Sequence, residues 1–296
     1  MKKHRFTTLC IALALSVSLF AGCGTSDGEP VSSSSKTETS LSGSTESIVS
    51  QEDEPTAEPS EGLSFALTGE RDSYAVKGMG SCTDENIVIP ASYEGLPVTE
   101  IGEEAFFMNR SLTSVVIPDS VTSIGERAFS YCSNLASVTI PDSMTSIGEY
   151  AFRACSSLTA VTLPGGLTRI ESGTFYECTS LTDIRIPDGV KFISSSAFKG
   201  CTWLTLINIP DSVTGIGLDA FEDCTHLTNI TIPCSVTEIS QDAFHGCKSL
   251  TDITYNGTKA EWENIKKSSW QLNSTNQLYV PSDCTVHCTD GDIQLS

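Results

Sequence analysis

The chain has 296 residues, with 37 acidic side chains against 17 Lys and Arg and a formal charge of −20. That balance disfavours nucleic acid and anionic surfaces as partners, and suits a domain bathed in the medium or a basic partner. With 39% hydrophobic residues, the chain has enough apolar material for a sizeable core.

Residues 1–22, MKKHRFTTLCIALALSVSLFAG, have a basic start, an apolar run too short to span a bilayer comfortably, and small residues before Cys23. This pattern predicts a secretory signal. Its end, Leu19-Phe20-Ala21-Gly22-Cys23, resembles a bacterial lipobox, with Phe20 where that motif prefers an aliphatic residue. The resemblance implies acylation of Cys23 and attachment to the membrane through an N-terminal lipid. The alternative is ordinary cleavage near Ala21 and release. Residues 23–61 are rich in Ser, Thr, Glu and Pro, and nine acids face the single Lys36 between 24 and 61. Such a stretch cannot bury enough apolar surface to fold, so a self-repelling tether is expected.

Residues 62–98 are expected to cap the first coil, with two strands in LSFALTGERDSYAVKGMG joined by a polar turn at Gly69 to Asp72. The first repeat carries a five-residue excess before Val98, because Ile89 to Ile117 spans 28 residues instead of 23.

From 99 to 257 one phrase recurs. Leucine falls at Leu112, Leu135, Leu158, Leu181, Leu204, Leu227 and Leu250, every 23 residues without insertion or deletion. A period of this length marks a leucine-rich repeat solenoid, whose coils cannot bury their apolar faces alone and must stack. In the L-x-x-V-x-I half of each coil the last two apolar residues alternate with an outward one, which predicts a short strand. The following proline (Pro118, Pro141, Pro164, Pro187, Pro210, Pro233) lacks the N–H to continue it. Leu163-Pro164-Gly165-Gly166 reads as one such repeat turn. The second half carries an isoleucine column from Ile101 to Ile239 and a phenylalanine column from Phe106 to Phe244. It predicts a second extended segment, a bend at the glycines Gly102, Gly125, Gly148 and Gly217, then one helical or 3₁₀ turn carrying Ala and Phe inward.

Residues 258–296 are expected to close the other end. Thr258 and Glu261 have capping-box spacing, Trp262 and Ile265 share a helix face, and 284 to 295 suggests a hairpin turning at Asp290-Gly291.

The pattern L-x-x-V-x-I-P-x-x-V-x-x-I-G-x-x-A-F-x-x-C resembles the BspA-type (Treponema-type) leucine-rich repeat of bacterial surface proteins, as do IPASYEGLPVTEIGEEAF, YNGTKAEWENI and TVHCTDG. The resemblance covers roughly residues 62 to 296. It implies an extracellular, non-enzymatic interaction protein of adhesion type, and brings no ligand-contact residue with it.

Six of the twelve cysteines, Cys132, Cys155, Cys178, Cys201, Cys224 and Cys247, lie three residues after the phenylalanine. Neighbours fall within disulfide reach, but their side chains point the same way, so they read as small buried apolar residues. Cys284, His287 and Cys288 lack a fourth ligand and any familiar zinc spacing, so neither metal nor cofactor is expected. His226 and His245 sit in different coils with no nucleophile and orienting acid placed beside them, so no catalytic residue is assigned.

The outward strand positions form a threonine-rich plane, and the places that break its monotony are the better candidates for recognition. These are Asp183, Arg185, Trp203, Leu206, Asn208, His226 and Asn229, expected on or beside the strand face. Trp and Arg are among the side chains that dominate interface energetics. The expected function is a lipid-anchored surface module that binds an extracellular protein or glycan. A ligand-free structural spacer and, behind it, a hydrolase hidden in the caps are the alternatives.

Overall fold

The computed structural model describes residues 58–240, 242–268, 280–281 and 283–295. The expected signal, the lipidation site Cys23 and the tether up to residue 57 lie outside these residues. Ser60, assigned to the tether on composition, belongs to the folded part: its N–H donates to the Val88 carbonyl at 2.9 Å, and its hydroxyl accepts from the Val88 N–H at 3.1 Å.

The chain winds as a solenoid in which each coil contributes a strand to two ladders. It opens with an antiparallel hairpin of β1 (Ser64–Leu67) and β2 (Tyr74–Gly78). Then come β3 (Asn86–Val88), β4 (Ser92–Tyr93) and β5 (Leu96–Ile101). The five-residue excess of the first repeat forms a second hairpin, in which Tyr93 faces Leu96 across Glu94 and Gly95. Both turn residues have left-handed φ, 47° and 82°, as a two-residue turn matching strand twist requires.

The regular coils carry paired strands: Ser114–Val116 and Ser123–Ile124 (β6, β7), Ser137–Thr139 and Ser146–Ile147 (β8, β9), Ala160–Thr162 and Arg169–Ile170 (β10, β11), Asp183–Arg185 and Phe192–Ile193 (β12, β13), Leu206–Asn208 and Gly215–Ile216 (β14, β15), and Asn229–Ile232 and Glu238–Ser240 (β16, β17). β18 (Asp252–Tyr255), α1 (Lys259–Asn264), β19 (Lys266–Ser268), β20 (Thr285–Cys288) and β21 (Gly291–Gln294) follow. Pairing between coils is parallel, with Ile184 beside both Val161 and Ile207. In the three-residue strands of the first ladder the central aliphatic residue points inward and its neighbours outward, the period-2 geometry that the repeat encodes.

The leucine, isoleucine, phenylalanine and cysteine columns fill the interior. Leu112 to Leu250 are 0% exposed, and the phenylalanine rings from Phe106 to Phe244 stack at 5.2–5.7 Å between centroids, within 8° of parallel. Stacking identical columns lets every coil bury both of its faces, which a single coil cannot do.

The turn that carries Ala and Phe inward is neither helical nor 3₁₀. Alternate amides cross to the next coil, Arg127 to Glu149, Phe129 to Ala151 and Tyr131 to Arg153, at 2.7–2.9 Å. Those between them close local turns, Ser130 to Arg127 and Cys132 to Phe129. This alternation needs left-handed backbone at Arg127 and Tyr131, and the same columns hold Gly173, Gly200 and Gly246. The glycines after isoleucine are not bends either. A Cβ on Gly125 would sit 2.6 Å from the Glu103 nitrogen, so glycine there permits close approach of two coils.

Both ladders are interrupted at one junction. The first runs β3-β6-β8 and resumes as β10-β12-β14-β16-β18-β20-β21; the second runs β1-β2-β5-β7-β9 and resumes as β11-β13-β15-β17-β19. Among the described residues β8 does not pair with β10, nor β9 with β11, whereas the turn side stays bonded through Phe152 to Thr174 and Ala154 to Tyr176. The residues at the gap are less tightly covered: Val138, Val161 and Leu163 are each 8% exposed and Ile140 is only half-buried. The coil beyond the gap is the one that reads Leu163-Pro164-Gly165-Gly166. There Gly166, like Gly189 in the next and fully paired coil, stands where Ser143, Ser212 and Ser235 each donate a hydroxyl to a carbonyl of the preceding coil.

At the far end α1 is capped by the expected box: the Thr258 hydroxyl accepts from the Glu261 N–H and the Glu261 carboxylate accepts from the Thr258 N–H at 2.8 Å. Trp262 and Ile265 are buried. The closing hairpin turns one residue earlier than expected, at Thr289 and Asp290, because Cys288 pairs with Gly291. β20 also pairs in parallel with β18, so the cap adds a rung to the stack.

Candidate functional site

The first ladder presents its outward side chains as a flat face. Asp183 and Arg185 on β12, Leu206 and Asn208 on β14 and Asn229 on β16 are all exposed. Register puts Asp183 beside Leu206, and Arg185 beside Asn208. Trp203 and His226 do not lie on the strands. They precede Leu204 and Leu227 in the incoming turns, where their rings stack at 4.2 Å and 15°. The His226 Nδ1 is bonded to the Thr202 carbonyl at 2.6 Å, which fixes the imidazole beneath the indole. Trp203 is 54% and Leu206 55% exposed, unusual for residues so large and apolar.

The threonines divide into two kinds. Those just after the leucine spend their hydroxyls on the previous coil: Thr182 donates to the Thr159 carbonyl and Thr205 to that of Thr182, at 3.2–3.3 Å. That column supports the stack. Thr139, Thr162, Asn208 and Thr231, further along the strands, have no side-chain partner among the described residues and are free to meet a ligand.

At the C-terminal ends of β10 and β12 the face dips into a groove of about 530 Å³, lined among others by Thr162, Asp183, Arg185 and Asp188. Arg185 and Asp188 approach at 3.9 Å with side chains 79% and 81% exposed, a pair worth little in water.

A second cluster was not legible in the repeat. On the turn side the Arg153 guanidinium lies 5.1, 5.8 and 4.9 Å from the rings of Tyr131, Tyr150 and Tyr176, so one cation bridges three coils. Arg127 lies over Tyr150 and pairs with Glu126 at 3.0 Å. Further on, Lys199 contacts both Asp219 and Glu222, and His245 meets Glu222 at 3.3 Å. Burial pushes the Asp219 carboxyl up; Lys199 and His245 outweigh the same effect at Glu222 and hold it down. The only sequence signal for these clusters was a set of aromatic and charged residues in turn columns otherwise small or acidic.

A cavity of about 390 Å³ near the C-terminal cap includes His245, Cys247, Lys248 and Asp283 in its lining. Its cysteine is no nucleophile: the Cys247 Sγ–H donates to the Phe221 carbonyl, and burial pushes the thiol up to about 12. Cys284 is buried in the core while His287 is held between Asp252 and Asp292, both at 2.9 Å, so the two do not converge. Among the described residues no three His, Cys, Asp or Glu side chains are placed to hold a metal, and no helix is long and apolar enough to cross a membrane.

Short parallel strands stacked at a 23-residue period, with continuous leucine and phenylalanine columns, define a leucine-rich repeat solenoid. The chain belongs to the BspA type leucine rich repeat region family, whose model matches residues 80–205 and 168–289 in six copies. Among solved structures it is similar to the T. pallidum leucine rich repeat protein TpLRR, at 31% identity and a TM-score of 0.60, over 66% of this chain and 91% of that one. Two others are a leucine rich cell surface protein from Faecalibacterium prausnitzii (22% identity, TM-score 0.37, 74% and 100% covered) and a leucine-rich repeat protein from Bacteroides ovatus (24%, 0.37, 68% and 71%). No curated protein matches it.

Proposed function

We infer that this chain is an exported, non-catalytic interaction module of the bacterial cell surface, recognising an extracellular protein or glycan through its strand face. The observation that carries this reading is the exposed Leu206 beside Asp183, Arg185 and Asn208 on a face otherwise made of small and β-branched residues, with the exposed Trp203 in the turn that leads into it. The basic and apolar N-terminal stretch ending at Cys23 supports export and attachment through lipid on that cysteine. The charge of −20 supports a partner other than nucleic acid. The cavity beside the cap offers no thiol nucleophile, since its one cysteine is a buried, protonated hydrogen-bond donor.

The spacer reading is favoured by one observation, the threonine column whose hydroxyls serve the preceding coil. Titration of the protein over immobilised matrix proteins and glycans separates the two. A module binds at least one saturably, and the double variant Arg185→Ala, Trp203→Ala loses that binding; a spacer binds none. Incorporation of labelled fatty acid, abolished by Cys23→Ala, tests the anchor.

A further inference from the structure

We propose that the groove at the C-terminal ends of β10 and β12 is a saccharide subsite that takes an uncharged glycan. The proposal rests on the reading of the strand face as a binding surface and narrows it to one ligand class.

One column distinguishes a wall of the groove. The residue after the repeat proline is Asp119, Asp142, Asp188 or Asp211 in four coils and Cys234 in a fifth, but Gly165 in the coil that forms one wall. A Cβ placed on Gly165 would meet nothing within 4 Å, and its backbone is not left-handed. Neither packing nor conformation demands glycine there. Its effect is to omit the carboxylate that would stand next to Asp188, leaving the groove open.

What remains suits hydroxyl groups. Arg185 offers a fork of N–H donors, while Asp183 and Asp188 offer acceptors, and a sugar hydroxyl both donates and accepts. The Arg185 and Asp188 side chains are barely buried, so each can turn from the other to a ligand without leaving a desolvated charge behind.

Charge selects the class. An anionic ligand meets two carboxylates on a molecule of charge −20, and a cationic one meets the guanidinium between them. A neutral polyol meets neither penalty. The volume of about 530 Å³ falls within the range of roughly 300–1,000 Å³ usual for small-ligand sites.

The full chain would be screened on an array of neutral and sialylated oligosaccharides, and the best neutral binder titrated by calorimetry. The expected result is saturable binding of a neutral saccharide, weakened about tenfold or more by Arg185→Ala and by Gly165→Asp. Gly165→Asp installs the residue that other coils carry, so folding should survive; equal thermal melts verify this. Thr254→Val, on the same face three coils beyond Arg185, should leave binding unchanged. Binding only of sialylated glycans, of no glycan, or of a neutral one indifferent to both substitutions would overturn the proposal. If a matrix protein then binds and the Arg185→Ala, Trp203→Ala variant loses it, the glycan assignment fails and the surface reading stands. If nothing binds, both fail.

Discussion

The Sγ–H of Cys178 donates to the carbonyl oxygen of Phe152, 26 residues earlier, at 3.0 Å. The same bond joins every ladder cysteine to the phenylalanine of the coil before it, from Cys132 and Phe106 to Cys247 and Phe221. The thiol therefore fills the core and also gives a second donor to a turn carbonyl that already accepts a backbone N–H, that of Cys155 in the case of Phe152. Valine or alanine could do only the first.

Cys178→Ala should accordingly destabilise by about 1–3 kcal/mol, from a small void and the loss of one of the two donors to the Phe152 carbonyl, which keeps the Cys155 N–H. Cys178→Ser keeps a donor and should cost less. Urea unfolding midpoints check the order.

Burial pushes the thiols of Cys132, Cys178 and Cys247 up to about 12. At pH 8 iodoacetamide should label exposed Cys234 in the native protein and reach the ladder thiols only after unfolding. Peptide mapping by mass spectrometry, without reduction, should find no bridge between successive ladder cysteines.

Phe175 stacks on Phe152 at 5.7 Å and on Phe198 at 5.6 Å. Phe175→Ala should cost about 3–5 kcal/mol, because a large cavity opens between coils held too rigidly to collapse. Phe175→Leu should recover most of that loss in thermal melts.

His287 ties β18 to the closing hairpin through Asp252 and Asp292, and those two bonds raise its pKa above 6.5. Thr251 and His287 in turn lower that of Asp252 below 3.8. The histidine contribution is full below its unfolded value and fades as pH rises through the raised folded one. The Asp252 contribution is full above about 3.8 and fades as pH falls through its lowered value. The cap should hold most tightly between about pH 4 and 6.5. Amide exchange in β20 and β21, corrected for intrinsic rates, should quicken from pH 6 to pH 9, and His287→Gln should flatten that trend.

The Thr145 N–H is bonded to the Thr122 carbonyl and the Lys191 N–H to that of Thr168, but the Thr168 N–H, at the interrupted junction, has no such partner. Thr168 should exchange far faster than Thr145 or Lys191 under native conditions.

The inward columns were legible because burial acts on every coil alike: Leu181, Ile193 and Phe198 each repeat a position whose neighbours above and below are the same residue type. What escaped the sequence depended on relations between coils. Gly125 resembles a bend until the Glu103 backbone is placed beside it. Arg153 and its tyrosines fall in columns that mean nothing until the turn geometry aligns them. The broken junction escaped because the count of 23 runs through it unchanged. On the strand face Arg185 and Leu206 were legible as departures from threonine, whereas the placing of Trp203 and His226 in the turns was not.

A solenoid under tension carries load from coil to coil through the bonds that cross each boundary. Among the described residues both walls lack hydrogen bonds between β8 and β10 and between β9 and β11, and the bonds that cross there lie along one edge, in the turns beside the stacked rings. Stretched from its ends, the rod should peel open there first, parting into a short N-terminal block and a longer C-terminal one while each remains wound.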